Sequence, residues 1–352
     1  MNVCYFGTYE RAYPRNAQVI SSLRGAGVSV HEEHVAVWDD LREGWSAGAG
    51  RALRLAAAEA KLFTRRPRGF DAFVVGYPGH LDLPAARRAA RGRPVVFNPL
   101  VSLADTLVGD RGRFRPGSLP ARALERVDRY AFRSADLVVA DTEAHARFLA
   151  PLAGRADIAV CFVGAEDRLF RPGWKPRQPF TALFVGKLIP LQGIETILGA
   201  ARAAPDIAFR VVGSGQLDEL LEERPANVEH VSWVEYEHLP DEIRFAGCAL
   251  GIFGTTAKAQ RVIPNKAFQA LACGTPLVTA NTPAARELLE DGVNALLVPP
   301  GDPAALAGAV RRLAADEDLA GRVGAGGRAT YEREASEAVL GKRWRELIEA
   351  LL

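Results

Sequence analysis

Between Ala249 and Pro300 the chain spells out a complete strand–loop–helix–strand unit, and that unit restricts the fold more than any other stretch. An apolar run, Ala249 to Phe253, stops at Gly254 and gives way to a polar loop. The loop closes at Pro264-Asn265-Lys266, where helical spacing begins. Proline pre-sets a helical φ and lacks an amide that a first turn could not use. The pattern predicts a helix ending near Cys273-Gly274, with glycine in the left-handed position past the last turn. Thr275-Pro276 then leads into a second apolar run, Leu277 to Ala280. A helix N-terminus with a lysine in its first turn suits an anion, above all a phosphate. The plainer reading is a βαβ unit with an exposed lysine.

The same alternation fills the chain. In the first half, apolar runs at Asn2–Phe6, Val28–Val30, Asp71–Val75, Val95–Phe97, Leu137–Ala140 and Ile158–Phe162 alternate with helical spacing at 15–24, 51–63 and 119–134, and a capped start at Asp141-Thr142-Glu143. In the second half, strands are expected at Phe180–Val185, Phe209–Val212, Val228–Val231, Ala249–Phe253, Leu277–Ala280 and Ala295–Val298. Helices are expected at 194–204, 217–221, 239–245, 264–273, 284–289 and 303–313, the last capped by Asp302, and a helical tail follows. Alternation of this kind builds parallel sheets with helices on both faces. At 352 residues the chain is long enough for two domains. A Pro- and Gly-rich change of composition from Gly164 to Pro179 marks a linker. The expected division is an N-terminal Rossmann-like domain over 1–165, a linker over 166–179, a second Rossmann-like domain over 180–325, and a C-terminal helix over 326–352 that packs back on the first domain.

Charge and cysteine usage exclude several classes. The formal net charge is only +2, which argues against a dedicated nucleic-acid binder. Arginines do cluster locally, at Arg87, Arg88, Arg91, Arg93 and at Arg111, Arg113, Arg115. They read as a solvated surface or as a basic rim facing anionic lipid heads or an anionic acceptor. Cys4, Cys161, Cys248 and Cys273 show no metal-ligand spacing and read as buried thiols in a reducing compartment. No signal peptide and no apolar stretch of spanning length is visible. The expectation is a cytoplasmic protein, with peripheral association at the inner membrane face as a further reading.

In doubly wound sheets ligands bind beyond the carboxyl ends of the strands. Those ends carry Gly7-Thr8, Gly76-Tyr77, Asn98-Pro99, Gly186-Lys187, Gly213-Ser214-Gly215, Trp233 and Phe253-Gly254. With two domains, these ends are expected to face one another across a cleft. Gly186-Lys187 puts a cation at a turn that permits close approach, Gly213-Ser214-Gly215 is open backbone, and Pro264-Asn265-Lys266 offers amides plus a second cation. No G-x-G-x-x-G follows the first strand, so a dinucleotide fingerprint is absent.

The order of these motifs resembles that of the retaining glycosyltransferases of family 4, which have the GT-B fold. The resemblance is carried by F-V-G-K-L-I-P-L-Q-G-I-E-T-I-L-G-A-A (184–201), V-V-G-S-G-Q-L (211–217), A-F-Q-A-L-A-C-G-T-P-L-V (267–278) and R-E-L-L-E-D-G-V-N-A-L-L-V-P-P-G-D-P-A-A-L-A (286–307). It implies two Rossmann-like doubly wound domains and transfer of a sugar from a nucleotide-diphosphate sugar, such as a UDP-sugar, to an acceptor hydroxyl. It also implies retention at the anomeric carbon, no metal and no cofactor beyond the nucleotide-sugar co-substrate. Lys187 matches the basic residue on the donor diphosphate. Gln192 stands where the family usually has a second lysine. Arg261 and Gln269 stand where it has the two glutamates of a Glu-x7-Glu pattern, the second of which binds the ribose. A subgroup has a P-x-K turn here, and Ile263-Pro264-Asn265-Lys266 looks like it, so Lys266 is expected to assume the missing lysine's role.

The expected donor site is therefore Gly7, Thr8, Gly186, Lys187, Gly213, Ser214, Gly215, Trp233, Pro264, Asn265, Lys266 and Gln269. The expected acceptor side is Tyr9, Arg11, His80, Asp105, Asp110 and Arg111. Lys187, Lys266 and Asp105 are the expected catalytic groups: the cations offset charge on the departing diphosphate, and Asp105 orients an acceptor hydroxyl. A small molecule, a glycan or a lipid-linked intermediate fits as acceptor. Two alternatives share the fold: a nucleotide-sugar 2-epimerase, and a degenerate glycosyltransferase-like binding protein for which Gln269 is the best support.

Overall fold

The computed structural model describes residues 1–11, 13–37 and 49–352. They form two compact units, Met1–Phe162 with Glu337–Leu352, and Val163–Ser336.

The first unit runs β1 (Asn2–Gly7), α1 (Pro14–Gly25), β2 (Ser29–His34), α2 (Ala49–Thr64), β3 (Ala72–Val75), α3 (Leu83–Ala90), β4 (Val95–Phe97), a π-helical turn (Asp105–Asp110), α4 (Leu119–Ser134), β5 (Leu137–Ala140), α5 (Glu143–Ala153) and β6 (Ala159–Val160). All pairings are parallel, in the order β2-β1-β3-β4-β5-β6, with Val3 opposite both Val30 and Ala72. Strand alternation sorts the apolar side chains between two faces. Cys4, Phe6, Phe73 and Val75 pack with α3 and α4 residues such as Ala86 and Phe132. Val3, Tyr5, Val74 and Val96 pack with Val19 and Leu23 of α1. The chain's last helix, Glu337–Glu349, completes that second face with Leu340, Trp344 and Ile348. Gly341 permits this approach, because a Cβ there would lie 2.2 Å from the Ser22 carbonyl oxygen.

The second unit runs β7 (Thr181–Val185), α6 (Ile194–Ala203), β8 (Ala208–Val212), β9 (Val228–Val231), α7 (Leu239–Phe245), β10 (Cys248–Leu250), α8 (Asn265–Cys273), β11 (Leu277–Ala280), β12 (Leu296–Val298), α9 (Pro303–Ala315) and α10 (Glu317–Glu334). Its sheet is parallel in the order β12-β11-β10-β7-β8-β9. The strand order reverses between β7 and β10 here, and between β1 and β3 in the first unit. Such switch points are where open α/β sheets leave a crevice for ligands.

Local signals read from the sequence hold where the chemistry is local. Thr142 accepts from the His145 amide and Asp302 from the Ala305 amide, as N-caps. Gly274 ends α8 at φ 72°. All four cysteines are buried thiols. The expected helices at 217–221 and 284–289 are instead single 3₁₀ turns, Asp218–Leu221 and Ala285–Glu287. In the second case the Asn294 side chain takes the Leu288 carbonyl and the Glu290 amide, diverting the bonds a longer helix would need. The strand expected at Ala249–Phe253 leaves its ladder after Leu250, and the Phe253 amide donates to the Gln192 carbonyl. The strand expected at Ile158–Phe162 shortens to two residues, because the buried Arg15 guanidinium takes the Cys161 and Phe162 carbonyls. Sequence spacing did not show α3 or the π-helical turn. The boundary drawn at residue 325 falls inside α10; the division between units comes after Ser336.

Candidate functional site

β7 ends at Gly186, whose φ of +151° is a backbone setting that side chains disfavour. Its amide donates to the Val212 carbonyl, which holds the turn beside β8. A Cβ on Gly186 would lie 2.9 Å from Lys266 Nζ, so the missing side chain is what admits the lysine. Gly213 ends β8 at φ +136°, and a Cβ there would sit 2.0 Å from the Gly186 carbonyl oxygen. The two strand-end turns are therefore stacked backbone on backbone. Beyond them Leu188 pairs with Gly215, and the Gly215 amide donates to Asp218 Oδ1. Ser214 and Lys187 are exposed.

Lys266 reaches this place from the first turn of α8. Pro264 precedes the helix in extended conformation, no side chain caps the first-turn amides, and that turn carries no acidic residue. The ammonium donates to Gln192 Oε1 at 2.6 Å and lies 3.5 Å from the centroid of the Phe184 ring. Gln192 closes a 3₁₀ turn whose successor, Gly193, abuts the Phe253-Gly254 backbone across the β7/β10 switch point. Lys266 is only 9% exposed, and burial holds its pKa well below the ordinary lysine range. Gln269, one turn along α8, is buried and hydrogen-bonds the Tyr236 hydroxyl, which Glu166 also engages. Burial pushes the Tyr236 phenol upward.

The structure thus gathers Gly186, Gly213, Ser214, Gly215, Pro264, Asn265, Lys266 and Gln269 at the carboxyl ends of β7, β8 and β10, with Lys187 beside them. Trp233 is placed differently. It lines a groove of 780 Å³ with Thr181 and Leu183 of β7, Arg210 of β8 and Phe245 of α7. The groove therefore reaches the amino-terminal part of β7, away from Gly186. Gln192 and Phe184 as the lysine's immediate surroundings, and Tyr236 and Glu166 beside Gln269, were not foreseen as parts of the site. Only the position of Gln192 just before Gly193 pointed toward it.

In the first unit the expected residues separate. Gly7 ends β1 at φ +134°, and a Cβ there would meet Asp82 Oδ2 at 2.1 Å. The Thr8 amide and hydroxyl donate to Asp82 at 2.8 and 2.9 Å. A resident carboxylate therefore stands where Gly7 and Thr8 were expected to meet a donor phosphate. Tyr9 is fully buried with its hydroxyl on Glu32, and Arg11 binds the same carboxylate from the surface. His80 is 1% exposed, with Nδ1 2.7 Å from the Pro78 carbonyl and Nε2 3.1 Å from that of Val101, and Asp128 lies beside it. Burial pushes its pKa down. Tyr9 and His80 thus serve the interior of the unit rather than an acceptor. Asp105, Asp110 and Arg111 are gathered on, and just after, the π-helical turn. Among the described residues no group of three or more His, Cys, Asp or Glu side chains is placed to hold a metal ion, and no helix is long and apolar enough to cross a membrane.

Comparison with known proteins bears on the same stretch. Residues 179–316 match the family model described as Glycosyl transferases group 1. The lipopolysaccharide core biosynthesis glycosyltransferase LpsE of Rhizobium meliloti is 25% identical over 272 residues, covering 72% of this chain and 77% of that protein. The phosphatidyl-myo-inositol mannosyltransferase of Mycobacterium leprae is 30% identical over 168 residues, 45% of this chain and 43% of that one. Among solved structures, sucrose-phosphate synthase from Thermosynechococcus elongatus superposes with a TM-score of 0.76 at 18% identity, covering 99% of each chain. Anabaena HepE in complex with UDP-glucose superposes with a TM-score of 0.71 at 16% identity, covering 99% of this chain and 100% of that one. The fold is that of the GT-B glycosyltransferases, the second unit carries a group 1 glycosyltransferase domain, and the protein is an enzyme of the glycosyltransferase class.

Proposed function

We propose that this enzyme is a retaining, metal-independent glycosyltransferase that moves a sugar from a nucleotide-diphosphate sugar to an acceptor hydroxyl. The observation that carries the reading is the buried Lys266 ammonium at the β7/β10 switch point, held by a neutral amide and a ring face. Among the described residues no carboxylate pairs with it. A cation so placed, beside open glycine turns and uncapped helix amides, suits a diphosphate.

In the proposed reaction the bond between the anomeric carbon and the diphosphate oxygen breaks. The acceptor oxygen bonds the same carbon on the same face, and the acceptor proton leaves with the departing diphosphate or to solvent. Negative charge accrues on the leaving group, where Lys266, Lys187 and the α8 amides offset it without reorganising. Two charge-assisted bonds at about 1.5–3 kcal/mol each are the size of effect required. Gln269 hydrogen-bonds ribose hydroxyls as a neutral amide. A small molecule, a glycan or a lipid-linked intermediate is the acceptor, oriented by Asp105.

The reading is tested with UDP, GDP and ADP and their sugars in a thermal-shift panel, followed by product analysis. Stabilisation by one nucleotide class is expected, with the product anomer matching the donor and activity surviving a chelator. Lys266→Ala is expected to weaken nucleoside-diphosphate binding about 10–100-fold, and Thr256→Ala less than about twofold. Stabilisation by no nucleotide sinks the enzyme's proposed donor, and equal binding by the two variants removes the phosphate from Lys266.

A further inference from the structure

Lysine at a phosphate site is ordinarily a solvated charge, and Lys187 is exposed. Lys266 is built otherwise. Its amine is buried between the Phe184 ring and the Gly186 backbone, and its one hydrogen-bond acceptor is the uncharged Gln192 amide. An amide and a ring face compensate an ammonium only in part. On β7 and its turn the neighbours are Phe184, Gly186 and Gln192, with the cationic Lys187 next in the chain. On α8 the next turn carries neutral Gln269, which meets Tyr236 and, on that hydroxyl, Glu166, and the loop leading into α8 brings the basic side chains Lys258 and Arg261. Among the described residues no carboxylate hydrogen-bonds or ion-pairs with Lys266.

We propose that the free enzyme holds Lys266 as a neutral amine at mildly alkaline pH, and that a nucleoside diphosphate binds there together with one proton. The proton comes from solvent and adds to the amine lone pair. No bond of the ligand breaks, and the new ammonium offsets one negative charge of the diphosphate. The inference rests on the diphosphate reading above and adds a charge rule to it. The buried position gains its charge only when an anion arrives, so it offers no charge to neutral ligands of similar shape. Burial acts in the direction this requires.

The test is calorimetric titration of the full chain with UDP and with GDP at about pH 8.5, in two buffers of different ionisation enthalpy. At that pH a terminal phosphate, with a second pKa near about 6, is already ionised, so proton uptake reports the protein. Wild type is expected to take up between about 0.5 and 1 proton per nucleotide bound, with affinity falling up to about tenfold per pH unit on the alkaline side. Lys266→Arg, whose guanidinium stays charged, is expected to bind with no uptake. Lys187→Ala is expected to bind more weakly with uptake unchanged. The wild-type affinity profile stands by itself if the arginine variant fails to fold. Binding without proton uptake between about pH 7.5 and 9.5 overturns this inference alone. Absence of binding by either nucleotide overturns the diphosphate reading and this inference with it.

Discussion

The two sheets solve the same geometric problem with ionisable groups of opposite kind, a carboxyl in one and an amine in the other. In each unit the first strand, β1 or β7, closes on a glycine at positive φ beside the switch point. The helix after the neighbouring strand, α3 after β3 or α8 after β10, sends an ionisable side chain from its start against that glycine. In the second unit the group is Lys266, with one neutral acceptor. In the first it is Asp82, which does not cap its own helix but takes both donors of Thr8. Both contacts join residues 74 positions apart. The Asp82 carboxylate is a finished interaction: it fills the anion site that the β1 turn would otherwise offer. The Lys266 amine keeps capacity in hand. One switch point is a structural clamp, and the other is the proposed diphosphate site.

The comparison is broken most directly at Asp82. Replacing it with alanine removes the carboxylate oxygens that accept from the buried Thr8 amide and hydroxyl. A hydrogen bond to a charged group contributes about 1.5–3 kcal/mol, so loss of the Asp82 carboxylate sets an expected loss of about 2–4 kcal/mol in unfolding free energy, read by urea denaturation. Nucleotide affinity of the folded fraction is expected to stay within about twofold. A stable Asp82→Ala protein that has lost nucleotide binding would reverse the assignment and make the β1 turn part of the site.

What was legible in the sequence follows from how far apart the interacting residues lie. Strand alternation, the Thr142 and Asp302 caps and the Gly274 stop are local, and spacing reveals them. The glycines at 186 and 213 were legible as strand ends, because a turn of that kind excludes most other residues. What Gly186 and Gly7 make room for was not legible, since the partners arrive from distant segments. Tyr9 and His80 show the other limit. A polar residue type after a strand suggests a ligand contact, but Glu32 and the Pro78 and Val101 carbonyls take those side chains inside the unit. Trp233 follows its strand as read, yet the groove it lines runs along the sheet toward α7.

A second, smaller effect sharpens the clamp. Glu59 of α2 hydrogen-bonds Asp82, and burial together with that neighbouring carboxylate pushes its pKa well above the ordinary 4.5. The folded state therefore keeps a proton that the unfolded chain has already released. With more protons bound when folded, stability is full below about pH 4.5 and falls as pH rises toward the raised value. Glu59→Gln removes the titration while keeping a donor toward Asp82. Its advantage over wild type is expected to grow by about 1–2 kcal/mol between about pH 5 and 8, measured as unfolding free energy at each pH. An advantage that is flat with pH would mean that the two carboxyls do not share a proton, and the clamp would then rest on Thr8 alone.

The smallest effect is expected at Gln192, and it measures how finished the other switch point is. Gln192→Leu removes the acceptor of the Lys266 hydrogen bond but leaves the Phe184 ring and the Gly186 backbone confining the amine. A neutral-acceptor bond contributes about 0.5–1.5 kcal/mol net. Diphosphate affinity is therefore expected to fall roughly two- to tenfold, with unfolding free energy changed by less than about 1 kcal/mol. The asymmetry with Asp82 is the point: removing the lysine's acceptor leaves a group that a ligand can still satisfy, whereas removing the carboxylate takes away two buried hydrogen bonds of the fold itself. A hundredfold loss on Gln192→Leu would place Gln192 itself on the ligand. No loss at all would show that ring and backbone alone aim the amine, and the β7/β10 switch point would then be more rigidly preformed than a single hydrogen bond implies.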